Sequence, residues 1–127
     1  MAITHSTTIR NGLCNYTVDA LDQGSGAGKL KIYSDTGLTT LLATFTLADP
    51  AFGAASSGQA TAAAITPITA SASGTALAFS ATDSDNVVIF QGNVGVSGSG
   101  ASCILNTTTL VSGGSLSVNT FTYAAPV

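Results

Sequence analysis

Three stretches of this chain carry residue types that chemistry could use. Gly24-Ser25-Gly26-Ala27-Gly28-Lys29 has the glycines and the lysine of a phosphate loop. In such a loop, backbone N–H groups cradle phosphate oxygens, and a Ser or Thr after the lysine holds Mg²⁺. Here Gln23 stands where the first glycine belongs, and Leu30 replaces the Ser or Thr. The stretch also leads from a helical pattern into a strand pattern, so no helix N-terminus faces an anion. His5 is the sole histidine. A nucleophile–base pair needs a histidine oriented by an acid, and no serine here sits in a nucleophile-elbow motif. His5, Cys14 and Cys103 also fall short of a zinc site, which takes four ligands at short spacings. Asp83-Ser84-Asp85-Asn86 is the one acidic cluster. Its oxygens suit Ca²⁺, but an EF-hand loop continues with another oxygen ligand and then a glycine, where this chain has Val87 and Val88. The same four residues make a good turn, because Asp and Asn satisfy turn backbone locally. There is no Glu, and the Asp residues all fall at turns or caps, so no carboxylate pair is set for glycoside chemistry. We expect no catalytic residue, no cofactor and no metal, and hence not an enzyme.

Bulk composition narrows the class further. A chain of 127 residues is one domain's length, and 1–127 is read as a single domain. Charged residues make up 7%, against about 25% in a typical domain. The apolar share of 45% is largely Ala, with 6% aromatics and no Trp. Polar surface must therefore come from Ser, Thr, Asn and backbone, which suits closely packed β-structure with many turns. Net charge is −3, and Arg10, Lys29 and Lys31 are the only bases. A nucleic-acid binder needs a basic stripe to neutralise phosphates, and nothing after Lys31 supplies one. No run approaches the about 20 apolar residues of a membrane span, and the first residues are not a leader. No nucleic-acid or membrane partner is expected, and synthesis in a cytoplasm is. Cys14 and Cys103 read as reduced, buried small hydrophobes. A surface with so few charges does little to oppose association.

The elements that position these residues follow from periodicity. The strongest is a hairpin within Lys29 to Gly53. Leu30 and Ile32 alternate with Lys29, Lys31 and Tyr33, and Asp35-Thr36-Gly37 turns the chain. The return strand spans about Thr40 to Leu47, with Leu41, Ala43, Phe45 and Leu47 on one face; Asp49-Pro50 stops it. Before it, Ser6 to Asp22 fits a helix with Ile9, Leu13, Tyr16, Ala20 and Leu21 as its apolar stripe. After it, Gln59 to Ile68 reads as an edge strand interrupted at Pro67, with a helix as the alternative because Ala favours one. Ser71 to Thr82, turn Asp83–Asn86 and Val87 to Val94 form a second hairpin. Its return strand is apolar on both faces and reads as central. Ser102 to Leu105, Leu110-Val111 and Ser115 to Tyr123 follow. The expected fold is mainly β, an antiparallel β-sandwich (jelly-roll-like) over 29–123, with one N-terminal helix over 6–22 and an arm over 1–5. Phe45, Phe79, Phe90 and Ile32 are expected to share the core.

Four strings carry a resemblance. They are the MAIT–S–T–R–N pattern of Met1 to Asn11, GSGAGKLKIY (Gly24 to Tyr33), LLATFTLADPAFGAASSG (Leu41 to Gly58) and FSATDSDNVVIFQGNVG (Phe79 to Gly95). Together they resemble small head proteins of tailed bacteriophages, the capsid decoration or cement proteins. The resemblance implies a β-rich structural protein on the outside of the expanded shell. It would bind as a dimer or trimer and stabilise contacts between major capsid subunits. Expected partners are thus the major capsid protein and further copies of the chain, and the location is the virion exterior. Ile3 and His5 in the arm and Phe52 in the Ala51–Gly58 loop are the expected contact residues, as apolar or exposed anchors. The alternative is a receptor- or carbohydrate-binding sandwich of a phage fibre or spike, using Tyr33, Phe52, Tyr123 and the Asp83–Asn86 turn.

Overall fold

The computed structural model describes residues 5–23, 26–48 and 51–124. The arm over 1–4 with Ile3, the Gly24 cap and the Asp49-Pro50 stop lie outside the described residues. Helix α1 spans Thr7–Asp19, and Ala20–Asp22 tightens into a 3₁₀ turn. Ser6 caps the start, its Oγ accepting from Ile9 N at 3.3 Å. The strands are β1 Lys29–Tyr33, β2 Leu41–Thr46, β3 Gln59–Thr61, β4 Ile68–Thr69, β5 Gly74–Thr75, β6 Ala78–Thr82, β7 Val88–Gly95, β8 Cys103–Leu105, β9 Thr109–Leu110, β10 Ser115–Leu116 and β11 Val118–Ala124.

Among the described residues the main sheet has seven strands in the order β2-β1-β6-β7-β8-β11-β3. Two ribbons, β4/β10 and β5/β9, complete the β-structure. The β4/β10 ribbon ties to the β2 edge just past β4, where Ser71 N and Ala72 N both donate to Leu42 O. The fold is mainly β with one N-terminal helix. Both expected hairpins form, β1–β2 and β6–β7, in antiparallel register. One pairing departs from the antiparallel expectation: β7 and β8 run parallel. Parallel strands usually need a long crossover. Here the overlap is only Val94↔Cys103 and Gly95↔Ile104, so β8 starts where β7 ends. The loop over 96–102 therefore closes a small circuit, using positive φ at Gly98 and Gly100.

The sheet curls. From β6 to β11 is three strand spacings, about 14 Å if the sheet were flat. Yet the rings of Phe79 on β6 and Phe121 on β11 sit 5.2 Å apart at 82°. Phe90 and Phe52 complete this aromatic cluster around Phe121, at 5.9 and 5.2 Å. Ile32, Phe45 and Phe79 are fully buried as expected, while Phe90 is half-buried against the same core.

Three burial expectations are corrected. In β2, Leu42 and Ala43 are both buried and Leu41 is exposed. The cause is a bulge: Ile32 pairs Ala43 but Tyr33 pairs Leu41, so Leu42 is unpaired and turns inward. The strand buried on both faces is β6, not β7; every residue from Ala78 to Thr82 is buried. Apart from Phe79, its side chains are small, which lets the chain close over both of its faces. The third correction is the helix: of its expected stripe Leu21 is buried, but Ile9, Leu13 and Tyr16 face outward, at 52%, 40% and 82% exposed. Its buried side chains are Cys14 and Val18, followed by Leu21 in the 3₁₀ turn.

The aromatic cluster sets the first test. Phe121→Ala and Phe52→Ala should each lower unfolding free energy by about 3–5 kcal/mol, read from urea titrations. Losses near zero for both would show that the curl does not depend on this cluster.

Candidate interaction surfaces

What the helix presents outward follows from how it is held. Asn11 and Asn15 stand four residues apart and so share one helix face. Asn11 Oδ1 accepts from Gly58 N at 2.7 Å and Asn15 Oδ1 from Ala55 N at 2.8 Å. Asp22 Oδ1, one step past the helix, accepts from Ala51 N at 2.9 Å. The loop over 51–58 thus runs antiparallel to the helix, and side-chain oxygens stand in for a neighbouring strand. Arg10 belongs to the same contact: its guanidinium lies so close to Gly58 that a Cβ there would fall 2.6–2.8 Å from it. Gly58 also has φ +76°, so it is glycine for two reasons. With this polar face turned inward, Ile9, Leu13 and Tyr16 lie roughly opposite, at i, i+4 and i+7, and face solvent.

The loop's docking relocates Phe52. It is 6% exposed, bridges Ala62 and packs its ring on Phe121. The expectation that Phe52 serves as an exposed anchor is therefore corrected; it is a core residue. Its neighbours Ala51 and Ala55 are drawn down by the helix, which carries the ring inward. His5 is exposed at the helix entrance, and Ile3 lies outside the described residues. The structure does not bring His5 and Phe52 into one surface.

A second outward feature is the tip of the β6–β7 hairpin. Asp83 Oδ1 accepts from Asp85 N at 2.9 Å and Val87 N at 3.0 Å, an Asx turn. Asn86 takes positive φ, 66°, a conformation Asn tolerates. Two side chains fasten the tip to the body: Lys29 Nζ donates to Asn86 Oδ1 at 3.2 Å, and Ser84 Oγ to Gln23 O at 3.3 Å. Beyond the turn, Val87 is 56% and Val88 50% exposed. Val87 precedes β7 and Val88 opens it, and β8 pairs only the far end of β7, at Val94 and Gly95, so this end of the strand is left uncovered on that side. The result is a short apolar finger on a braced turn. Sequence reasoning read this strand as central and apolar on both faces; β7 does lie mid-sheet, but its first end is exposed, and the signal for that was the valines' position directly after a turn.

The remaining candidates are placed as follows. The Asp83 carboxylate is engaged by its own turn, and among the described residues no three His, Cys or Asp side chains gather as a metal site. Tyr33 and Tyr123 are half-buried on β1 and β11, with β6, β7 and β8 between them, and Tyr123 packs on Phe90 at 4.8 Å. Cys14 and Cys103 are buried free thiols, as expected. Cys14 Sγ donates to Tyr123 O at 3.5 Å. Burial pushes the Cys103 thiol up to about 12. Asp35 goes the other way: the Thr39 hydroxyl and the Thr40 and Thr39 N–H groups hold its carboxyl below the usual range. Among the described residues no helix is long and apolar enough to cross a membrane.

Two outcomes test this geometry. Asn15→Ala strips Ala55 N–H of its acceptor and should destabilise by about 1–3 kcal/mol in thermal or urea melts; an unchanged melt would remove the side-chain ladder from the account. Because only the thiolate reacts, Cys103 should resist iodoacetamide at pH 8 in the native protein and label fully in denaturant. Rapid native labelling of Cys103 would contradict its burial. Compared with known protein families, with curated proteins and with solved structures, the chain matches none.

Proposed function

We propose that this chain is a structural virion protein, a capsid decoration or cement protein. In this reading it binds the outside of a phage head and stabilises contacts between major capsid subunits. The observation that carries the reading is the braced apolar finger. Val87 and Val88 are exposed on a turn already fixed by Asp83, Lys29 and Ser84, so little conformational freedom is lost when they dock. A preorganised tip with two adjacent exposed valines, and the acidic Asp85 at its edge, suits a shallow apolar depression on another protein. The resemblance of the four strings supplies the identity of that protein. A ligand that binds only the assembled shell stabilises it by mass action, and repetition over the lattice multiplies weak single contacts.

The receptor- or carbohydrate-binding alternative has less support. Its candidate contacts are dispersed: Phe52 is in the core, Tyr33 and Tyr123 lie on separated strands, and Asp83 binds its own turn.

The test uses expanded phage heads assembled without this chain. Added protein should bind at regular stoichiometry and raise the temperature at which heads open. The double variant Val87→Asp, Val88→Asp should bind at least about tenfold more weakly while melting like the unaltered protein. Equal binding by both proteins would remove the finger from the reading, and no binding by either would overturn the reading itself.

A further inference from the structure

The outer face of α1 is a second surface, independent of the hairpin tip. Ile9, Leu13 and Tyr16 are 52%, 40% and 82% exposed, while the helix's opposite face is spent on the 51–58 loop. Gly12 lies beside them in mid-helix. A glycine there weakens the helix, and packing within the chain does not require it: a Cβ at Gly12 would meet nothing within 4 Å. Its small size leaves the helix backbone open to close approach from outside.

We propose that what approaches is a second copy of the chain, and that two α1 helices cross antiparallel about a two-fold axis at Gly12. The patch is complementary to itself. The two Gly12 positions meet on the axis, where the backbones can approach closely, and Ile9 and Tyr16, about one turn before and after, let Ile9 of each copy pack near Tyr16 of the other, with Leu13 beside them. The stripe itself bears no charge, so no like charges are forced together. At the rim, the antiparallel arrangement brings the His5 end of one helix to the Asp19 end of the other. The two helix dipoles then oppose, positive end to negative end. A helix of 13 residues is about 20 Å long. Pairing along it falls at the small end of specific interfaces, about 1,200 Å² in total or less. The dimer is therefore reversible and concentration-dependent. This inference goes beyond the shell-binding reading and stands on the helix alone.

The test is sedimentation equilibrium of the full chain, without capsids, from roughly 1 to 300 µM. The unaltered protein should pass from monomer to dimer across that range. Gly12→Gln has room for its side chain within the monomer and removes a helix-weakening glycine. It should melt no lower than the unaltered protein in dilute solution, yet dimerise at least about tenfold more weakly. Leu13→Glu should do the same to the dimer. Gly12→Cys, sitting on the axis, should give a disulfide-linked dimer under mild oxidation, and an exposed control, Asn119→Cys, should not. A monomer throughout, or a dimer that survives both Gly12→Gln and Leu13→Glu, overturns the proposal. Loss of shell binding by the finger variant with dimerisation intact would separate the two surfaces.

Discussion

A polar contact, not an apolar one, governs how this chain is put together. The loop over 51–58 has backbone N–H groups that must find acceptors once it lies against the body. The helix provides them through Asn11, Asn15 and Asp22. That one contact fixes the rotation of α1 about its axis. It thereby decides which helix residues enter the core, Cys14 and Val18, and which face outward. It also seats Phe52 on Phe121, and so ties the loop to the aromatic cluster across which the sheet curls. Rotating the helix to bury its apolar stripe would gain hydrophobic contact. It would leave three partly buried N–H groups without acceptors, each costing about 1–3 kcal/mol.

Much of the fold was legible because it obeys local rules. Alternation marked β1, and turn chemistry marked both hairpins: Asp35 for the first, Asp83 and Asn86 for the second. The helix was legible from its cap and length. Burial was less so, for identifiable reasons. The helix stripe follows the hydrophobic period, yet period alone does not say whether an apolar face turns inward or outward; long-range hydrogen bonds decided it. The Leu42 bulge depends on a register slip against Tyr33 that no residue type announces. The parallel β7–β8 step depends on how little the strands overlap. The interaction surfaces were misplaced for the same reason. Phe52 was singled out because large apolar residues in loops are conspicuous in a sequence, and the loop's fate was set elsewhere. Val87 and Val88 were passed over because two β-branched residues after a turn read as the start of a buried strand.

The core also contains a cost. Ser80 is fully buried in β6, and its Oγ has no hydrogen-bond partner among the described residues. Such a hydroxyl is unfavourable in the middle of a sheet. Its size is the compensation. Ser80 is flanked by Phe79 and Ala81 in a strand buried throughout, and a larger residue would force the layers apart. Small side chains along β6 are what allow a curl this tight in a domain without Trp.

The helix docks on β3 and β11, and Cys14 reaches Tyr123, 109 positions along the chain. During synthesis α1 emerges before every strand of the sheet, and β11, one wall of its binding site, emerges after all the other strands. A helix of this length, with its Thr and Asn content, is marginal alone. The two hairpins close locally and can form early. The Cys14–Val18–Leu21 face must stay open to solvent until β11 arrives. Folding therefore ends with a long-range closure between distant parts of the chain, the kind of step that is slow because loop entropy is lost before contacts form. Throughout that interval the nascent chain exposes Cys14, Val18 and Leu21 as well as Ile9, Leu13 and Tyr16, so its exposed apolar surface is largest before the fold is complete.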